Sequence, residues 1–120
     1  SDEINNIQVI NMEEVLARCN GSINFAMTLI DKFLNRTSCD LEEMTQELEK
    51  RNFQFLVNSA HRLKGTSATL AAEPMRAASQ ALENAAALED EASARVCLEI
   101  LKAELVHLQL FRSDDLPKAA

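Results

Sequence analysis

Between Phe53 and Leu70 the chain sets Phe53, Leu56, Ala60, Leu63, Ser67 and Leu70 at steps of three and four. Side chains at that spacing share one stripe of an α-helix, whereas a strand would scatter them over both faces. The stretch therefore reads as one long helix with a single wall turned to a core. His61 falls off that stripe, toward solvent. Lys64 and Gly65 follow it at i+3 and i+4, over the same patch of helix surface. An ammonium and a gap flank an imidazole.

Gly65 is the informative member of the group. Glycine in a helix interior costs about 1 kcal/mol relative to alanine, and the chain has only two glycines. One reason to tolerate it is close approach of a neighbouring helix. Its outward position beside His61 favours another: it clears space for something large to reach the ring.

The rest of the chain agrees with helices. Of its 120 residues 47% are apolar, enough for one domain with a real core, while glycine and proline number two each and Trp and Tyr are absent. That composition argues against a β-sandwich or barrel and for an all-α domain. The net charge of −7 leaves no basic stripe for phosphates, so nucleic-acid binding is not expected. Cys19, Cys39 and Cys97 are odd in number and widely spaced, which implies neither a disulfide framework nor a zinc site and fits a reducing, cytoplasmic setting. No apolar run nears the roughly 20 residues of a membrane span, so no membrane contact is expected. The chain starts at Ser1 without a methionine and shows no signal peptide, so a domain excised from something longer is one expectation and a free-standing chain the other.

Six helical segments are expected in order. Ser1 to Asn6 is a loose polar leader, and Ile7, Val9 and Ile10 can pack onto a bundle. Asn11, with Glu14 three residues on, opens a first helix that stops at Asn20-Gly21. Ser22 caps a second, to about Arg36, with Phe25 or Ala26, Leu29 and Phe33 inward. Thr37-Ser38-Cys39 reads as a connector. Asp40 and Glu43 form a capping-box pattern for a third helix to about Arg51, burying Leu41, Met44 and Leu48. Asn52 caps the fourth, which carries His61 to Leu70. After a turn at Ala71-Ala72-Glu73, Pro74 suits the first turn of a fifth helix, to about Leu88, burying Met75, Ala78, Leu82 and Ala85. The sixth begins at Glu89-Asp90-Glu91 and buries Ala94, Cys97 or Leu98, Leu101, Leu105 and Leu108, ending near Phe111. Residues 113–120 form a polar tail. Met12, Met27, Met44 and Met75 read as core filler. The expected architecture is an antiparallel four-helix bundle core with one or two additional N-terminal helices, a single domain spanning residues 1–120 with its core in the last four segments.

A neutral imidazole with one free ring nitrogen is a nucleophile. Lys64 is expected to disfavour the charged form of the ring and can neutralise charge on an arriving phosphoryl group, a reaction in which positioning and charge stabilisation dominate. No Walker loop or other glycine-rich nucleotide loop is present, so the phosphoryl group must come from a partner protein.

His61-Arg-Leu-Lys64-Gly65-Thr-Ser, followed by an Ala-rich amphipathic helix, resembles the histidine-containing phosphotransfer (HPt) domains of two-component phosphorelays. The resemblance covers about Val9 to Phe111 in helix number and spacing. Many members carry Gly-Ala after the histidine helix where this chain has Ala71-Ala72. The resemblance implies a phosphorelay intermediate. His61 would accept a phosphoryl group through Nε2 from the aspartate of a receiver domain and pass it to another receiver's aspartate. Lys64 would steady the phosphoryl oxygens, and Gly65 would let the donor approach. No cofactor of its own is implied; Mg²⁺ is expected on the receiver. Family members often place Gln or Glu near the ring from the next helix. By spacing that position falls on Glu83, with Gln80 the weaker candidate, and a carboxylate accepting from Nδ1–H would leave Nε2 free.

Receiver docking is expected around the acceptor, with Val57 and Ala68 supplying apolar surface and Gln54, Asn58 and Arg62 a polar rim; Arg62 reads equally as a solvated residue. His107 reads as a surface or boundary residue. The implied partners are receiver domains and a sensor histidine kinase, for a chain expected to be monomeric. It would be the terminal domain of a hybrid kinase or a free-standing carrier. Two other readings stand beside this one: the phosphoryl-accepting domain of a chemotaxis-type kinase, which Glu83 suits, and a non-catalytic helical adaptor, which an intact His61 argues against. Metal binding is disfavoured because no His, Cys and carboxylate cluster has ligand spacing.

Overall fold

Five helices account for most of residues 8–118, the part of the chain that the computed structural model describes. They are α1 (Met12–Arg18), α2 (Ile23–Glu49), α3 (Phe53–Thr69), α4 (Glu73–Ala87) and α5 (Glu91–Asp114). Side-chain caps set four of the starts. Asn11, Ser22, Asn52 and Asp90 accept from the N–H groups of Glu14, Phe25, Phe55 and Ser93 at 3.2, 3.2, 3.3 and 3.0 Å. α4 has Ala72 at its N-cap and so lacks such a side-chain bond, and Pro74 occupies its first turn, where a missing N–H costs nothing.

The links between α2, α3, α4 and α5 share one design. Each has a residue of positive φ just past the helix: Arg51 (56°), Ala71 (51°) and Glu89 (53°). The next N–H then reaches back five residues, from Asn52 to Glu47, Ala72 to Ser67 and Asp90 to Ala85, each at 2.9 Å. This Schellman geometry satisfies the last carbonyls of each helix and reverses the chain. Glycine would be the ordinary choice at these positions; none is present.

The reversals build a four-helix core from α2–α5. α3 packs on α2 and α4, and α5 packs on α4 and α2, so α3 and α5 stand diagonally across the bundle. Every inward residue expected along α3 is buried, and so are Met75, Ala78, Leu82 and Ala85 of α4. Where two residues were alternatives, Ala26 and Leu98 point inward; Phe25 is exposed and Cys97 half-buried. Met27, Met44 and Met75 fill the core, while Met12 packs at its edge.

The connector expected at Thr37-Ser38-Cys39 does not exist; α2 runs through it. These three residues include neither Gly nor Pro, so nothing breaks the backbone ladder. Thr37 is 1% exposed and continues the buried line from Phe33 to Leu41. The capping-box pattern at Asp40 and Glu43 sits mid-helix, where the preceding turn already satisfies the backbone N–H groups. Among the described residues the helices therefore number five, one of them N-terminal to the bundle.

The polar tail was expected from residue 113, but α5 continues to Asp114. Arg112 forks onto Asp31 of α2 at 2.7 and 3.2 Å and also donates to the Pro117 carbonyl at 2.8 Å, which holds the segment after the helix against the bundle. At the other end Ile10 is buried and the Asn11 N–H donates to the Ala71 carbonyl at 2.9 Å. The expected leader, Ser1 to Asn6, and Ile7 lie outside the described residues. Among the described residues, no helix is long and apolar enough to cross a membrane.

Candidate functional site

α3 and α4 pack side by side. Ala60 and Ser67 of α3 and Ser79 and Ala86 of α4 are small buried residues on the sides that carry Lys64 and Glu83, which lets polar side chains at the seam's edge meet. His61 and Lys64 rise from one edge of α3, and Gln80 and Glu83 face them from α4. Each pair is three residues apart and so lies on a common face.

The imidazole stands clear of the bundle wall, its side chain 67% exposed. Its Nδ1 lies 3.0 Å from Glu83 Oε2. The other carboxylate oxygen, Oε1, accepts from Lys64 Nζ at 2.7 Å. Lys64 also donates to Gln80 Oε1 at 3.1 Å, and the Gln80 amide donates to Asn84 Oδ1 at 2.9 Å. Lys64 is thus engaged by α4 rather than standing free beside the ring.

The Lys64 hydrogen bond is the chief reason the Glu83 carboxyl sits below its ordinary range; partial burial opposes it, and the His61 contact adds to it. Glu83 is therefore an ionised, acceptor-only group at neutral pH, and Nδ1 must donate to it. With Nδ1 protonated, the lone pair of a neutral ring is on Nε2, for which no hydrogen-bond partner exists among the described residues.

Gly65 lies one turn beyond His61 and is exposed; a Cβ built on it would meet nothing within 4 Å. No neighbouring helix approaches it, so close helix packing does not explain this glycine.

Of the residues expected to dock a partner, Gln54, Asn58 and Ala68 are exposed and Val57 is half-buried, all on the His61 side of α3. The Gln54 amide donates to Asn58 Oδ1 at 3.0 Å. Arg62 is also exposed, about a quarter turn round α3 from His61. It lines a groove of about 360 Å³ between α2 and α3, whose apolar floor includes Leu29, Phe33 and Leu63 and whose rim includes Lys32 and Arg36. Sequence reasoning missed this groove, since nothing local says which helix lies beside Arg62. It missed Asn84 for the same reason. It also missed Arg18, whose guanidinium donates to the Ala68 and Thr69 carbonyls and so caps the C-terminus of α3. His107 is exposed on α5, 3.5 Å from Glu104 and on the helix diagonal to His61.

Comparison with known proteins agrees with this architecture. Residues 28–111 match the family model of the Hpt domain. Histidine-containing phosphotransfer protein B (HptB) from Pseudomonas aeruginosa PAO1 superposes with a TM-score of 0.81 at 18% identity, over 89% of this chain and 93% of that one. A rice protein described as a histidine-containing phosphotransfer protein superposes with a TM-score of 0.80 at 16% identity, over 93% of this chain and 82% of that one. At these identities the two structures establish likeness of fold. No curated protein sequence matches the chain significantly.

Proposed function

The chain belongs to the Hpt domain family, and from that premise we propose that it is a phosphorelay intermediate with His61 as the phospho-acceptor. The observation that carries the reading is the exposed imidazole whose Nδ1 is engaged by Glu83, leaving Nε2 open. The Nε2 lone pair attacks the phosphorus of a receiver's aspartyl phosphate in line. The bond from phosphorus to the carboxylate oxygen breaks, and the aspartate leaves with the electron pair. The Nδ1 proton stays directed at Glu83, which stabilises the positive charge that forms on the ring. Onward transfer to a second receiver is the same step reversed.

Lys64 gives up Glu83 or Gln80 to meet the incoming phosphoryl oxygens, and Gly65 leaves room for the donor. Mg²⁺ is supplied by the receiver. The receiver covers the His61 face with Gln54, Val57, Asn58 and Ala68 under it. Arg62, at the edge of that face, belongs to the α2–α3 groove, whose apolar floor and cationic rim extend the surface a partner can grip. Three free cysteines fit a cytoplasmic setting. A carboxylate rather than an amide against the ring also suits a second reading, acceptance from the ATP-binding domain of a chemotaxis-type kinase.

The test offers radiolabelled phospho-receiver with Mg²⁺, and in a parallel arm an isolated kinase ATP-binding domain with ATP, to the chain and to His61→Gln. Label passing from the receiver to the parent chain and not to the variant supports the relay. Label from the kinase arm alone selects the second reading. Equal labelling of parent and variant, or none in either arm, removes His61 as the acceptor.

A further inference from the structure

α5 has a second apolar face that the bundle does not use. Its inward line, Ala94, Leu98, Leu101, Leu105 and Leu108, is buried. On the opposite side Val96, Ile100 and Leu110 are 60%, 47% and 53% exposed, and Ala103 among them is exposed too. Val96, Ala103 and Leu110 are seven residues apart, so they form one line along the helix. Exposed apolar residues gathered along one side of a helix, rather than scattered singly, are the kind of surface that a partner covers.

The chemistry along the line is symmetric about Ala103. In a two-fold pair of antiparallel helices, residue i of one copy meets residue j of the other, and j meets i. With the axis at Ala103, Val96 meets Leu110, Ala103 meets its own copy, and Glu99 meets His107. Apolar side chains oppose apolar ones, the smallest side chain lies where the helices approach most closely, and a carboxylate opposes an imidazole. Both polar groups are available: the Glu99 and His107 side chains are 67% and 56% exposed. Within the chain Glu99 pairs with Lys102 at 3.2 Å and His107 with the half-buried Glu104 at 3.5 Å, single contacts within one helix that an exposed partner can replace at little cost.

We propose that two copies of this chain associate through the outer face of α5, antiparallel, about a two-fold axis at Ala103. α5 is diagonal to α3, so the pair leaves both His61 rings open and each copy able to receive a partner. The occupant of this face is another copy of the chain rather than an unrelated helix, because its charges and apolar residues complement themselves.

Sedimentation equilibrium over a micromolar to millimolar range tests the proposal. The expected result is a concentration-dependent dimer whose dissociation constant rises at least about tenfold in Ala103→Glu, with helicity by circular dichroism and phosphoryl acceptance at His61 unchanged. His107→Glu weakens the dimer, and Glu99→His in the same chain restores it. A second probe does not depend on a destabilising change: Ala103→Cys yields a covalent dimer under mild oxidant, where the parent, with Cys39 and Cys97 in place, does not. A chain monomeric at every concentration, a dimer indifferent to Ala103→Glu, or a cysteine variant that cross-links no more than the parent overturns the proposal.

Discussion

Glu83 holds two residues of α3 at once: Oε2 stands 3.0 Å from His61 Nδ1 and Oε1 2.7 Å from Lys64 Nζ. One carboxylate therefore orients the ring, selects its tautomer and balances the lysine while no phosphoryl group is present. The expected consequence is that Glu83→Ala slows phosphoryl acceptance about tenfold, the worth of one charge-assisted hydrogen bond. Glu83→Gln, which keeps an oxygen for Nδ1–H, loses less. Rapid-quench transfer from a phospho-receiver measures both, and circular dichroism checks that the bundle is intact. An unchanged rate in Glu83→Ala takes the residue out of the site.

The same contact makes stability depend on pH in a definite direction. The Glu83 carboxyl is lowered from its ordinary 4.5, first by the Lys64 hydrogen bond and then by His61, against the effect of burial. A depressed folded-state value stabilises the fold above the ordinary carboxylate range, and that contribution is lost as pH falls through the lowered value. Thermal melts of the parent and Glu83→Gln are expected to differ most at neutral pH and to converge in acid. A gap that widens on acidification contradicts the assignment.

Gly65 separates stability from function. A methyl group added there meets open space, so Gly65→Ala is expected to raise helix stability by about 0.5–1 kcal/mol. Gly65→Gln should also fold but fill the space beside the ring and slow transfer about tenfold or more. Urea unfolding and transfer kinetics, read on the same two variants, test the pair of effects. Full-speed transfer in Gly65→Gln means that the gap serves no approaching partner.

Ala71 is a site of stored backbone strain, with φ at 51° and a Cβ that disfavours that region. Ala71→Gly is expected to stabilise the chain by about 0.5–1 kcal/mol, the relief at positive φ exceeding the added freedom of the unfolded chain. The midpoint of urea unfolding should rise with no change in its slope. A fall shows that the methyl packing of this half-buried residue outweighs the strain.

Much of the fold could be read locally. The caps at Asn11, Ser22 and Asn52 act within three residues, so the sequence announces them; the acidic run at residues 89–91 marked the start of α5 without singling out Asp90 as its cap. The stripe from Phe53 to Leu70 places His61 outside by period alone. Thr37-Ser38-Cys39 misled because small polar residues are common in connectors and equally tolerated on a helix whose neighbours supply the packing. Asp40 and Glu43 form a valid capping pattern, yet the pattern acts only where a helix has already ended. Asn84, Arg18 and the groove beside Arg62 carry no local signal, since each depends on a residue of another helix.

What the chain's own order of residues determined is where most helices start, their inward faces, and an imidazole with a lysine and a gap on the outward face of one of them. Helical period and capping are short-range effects, and they suffice for that. Only the tertiary structure decided that Lys64 is held by Glu83 and Gln80, that one carboxylate serves both lysine and ring, and that the outer face of α5 is left uncovered. Those outcomes follow from how far α4 is shifted along α3 and from which helix stands diagonal to which. Both are set by the summed packing of the core, which no single stretch of sequence contains.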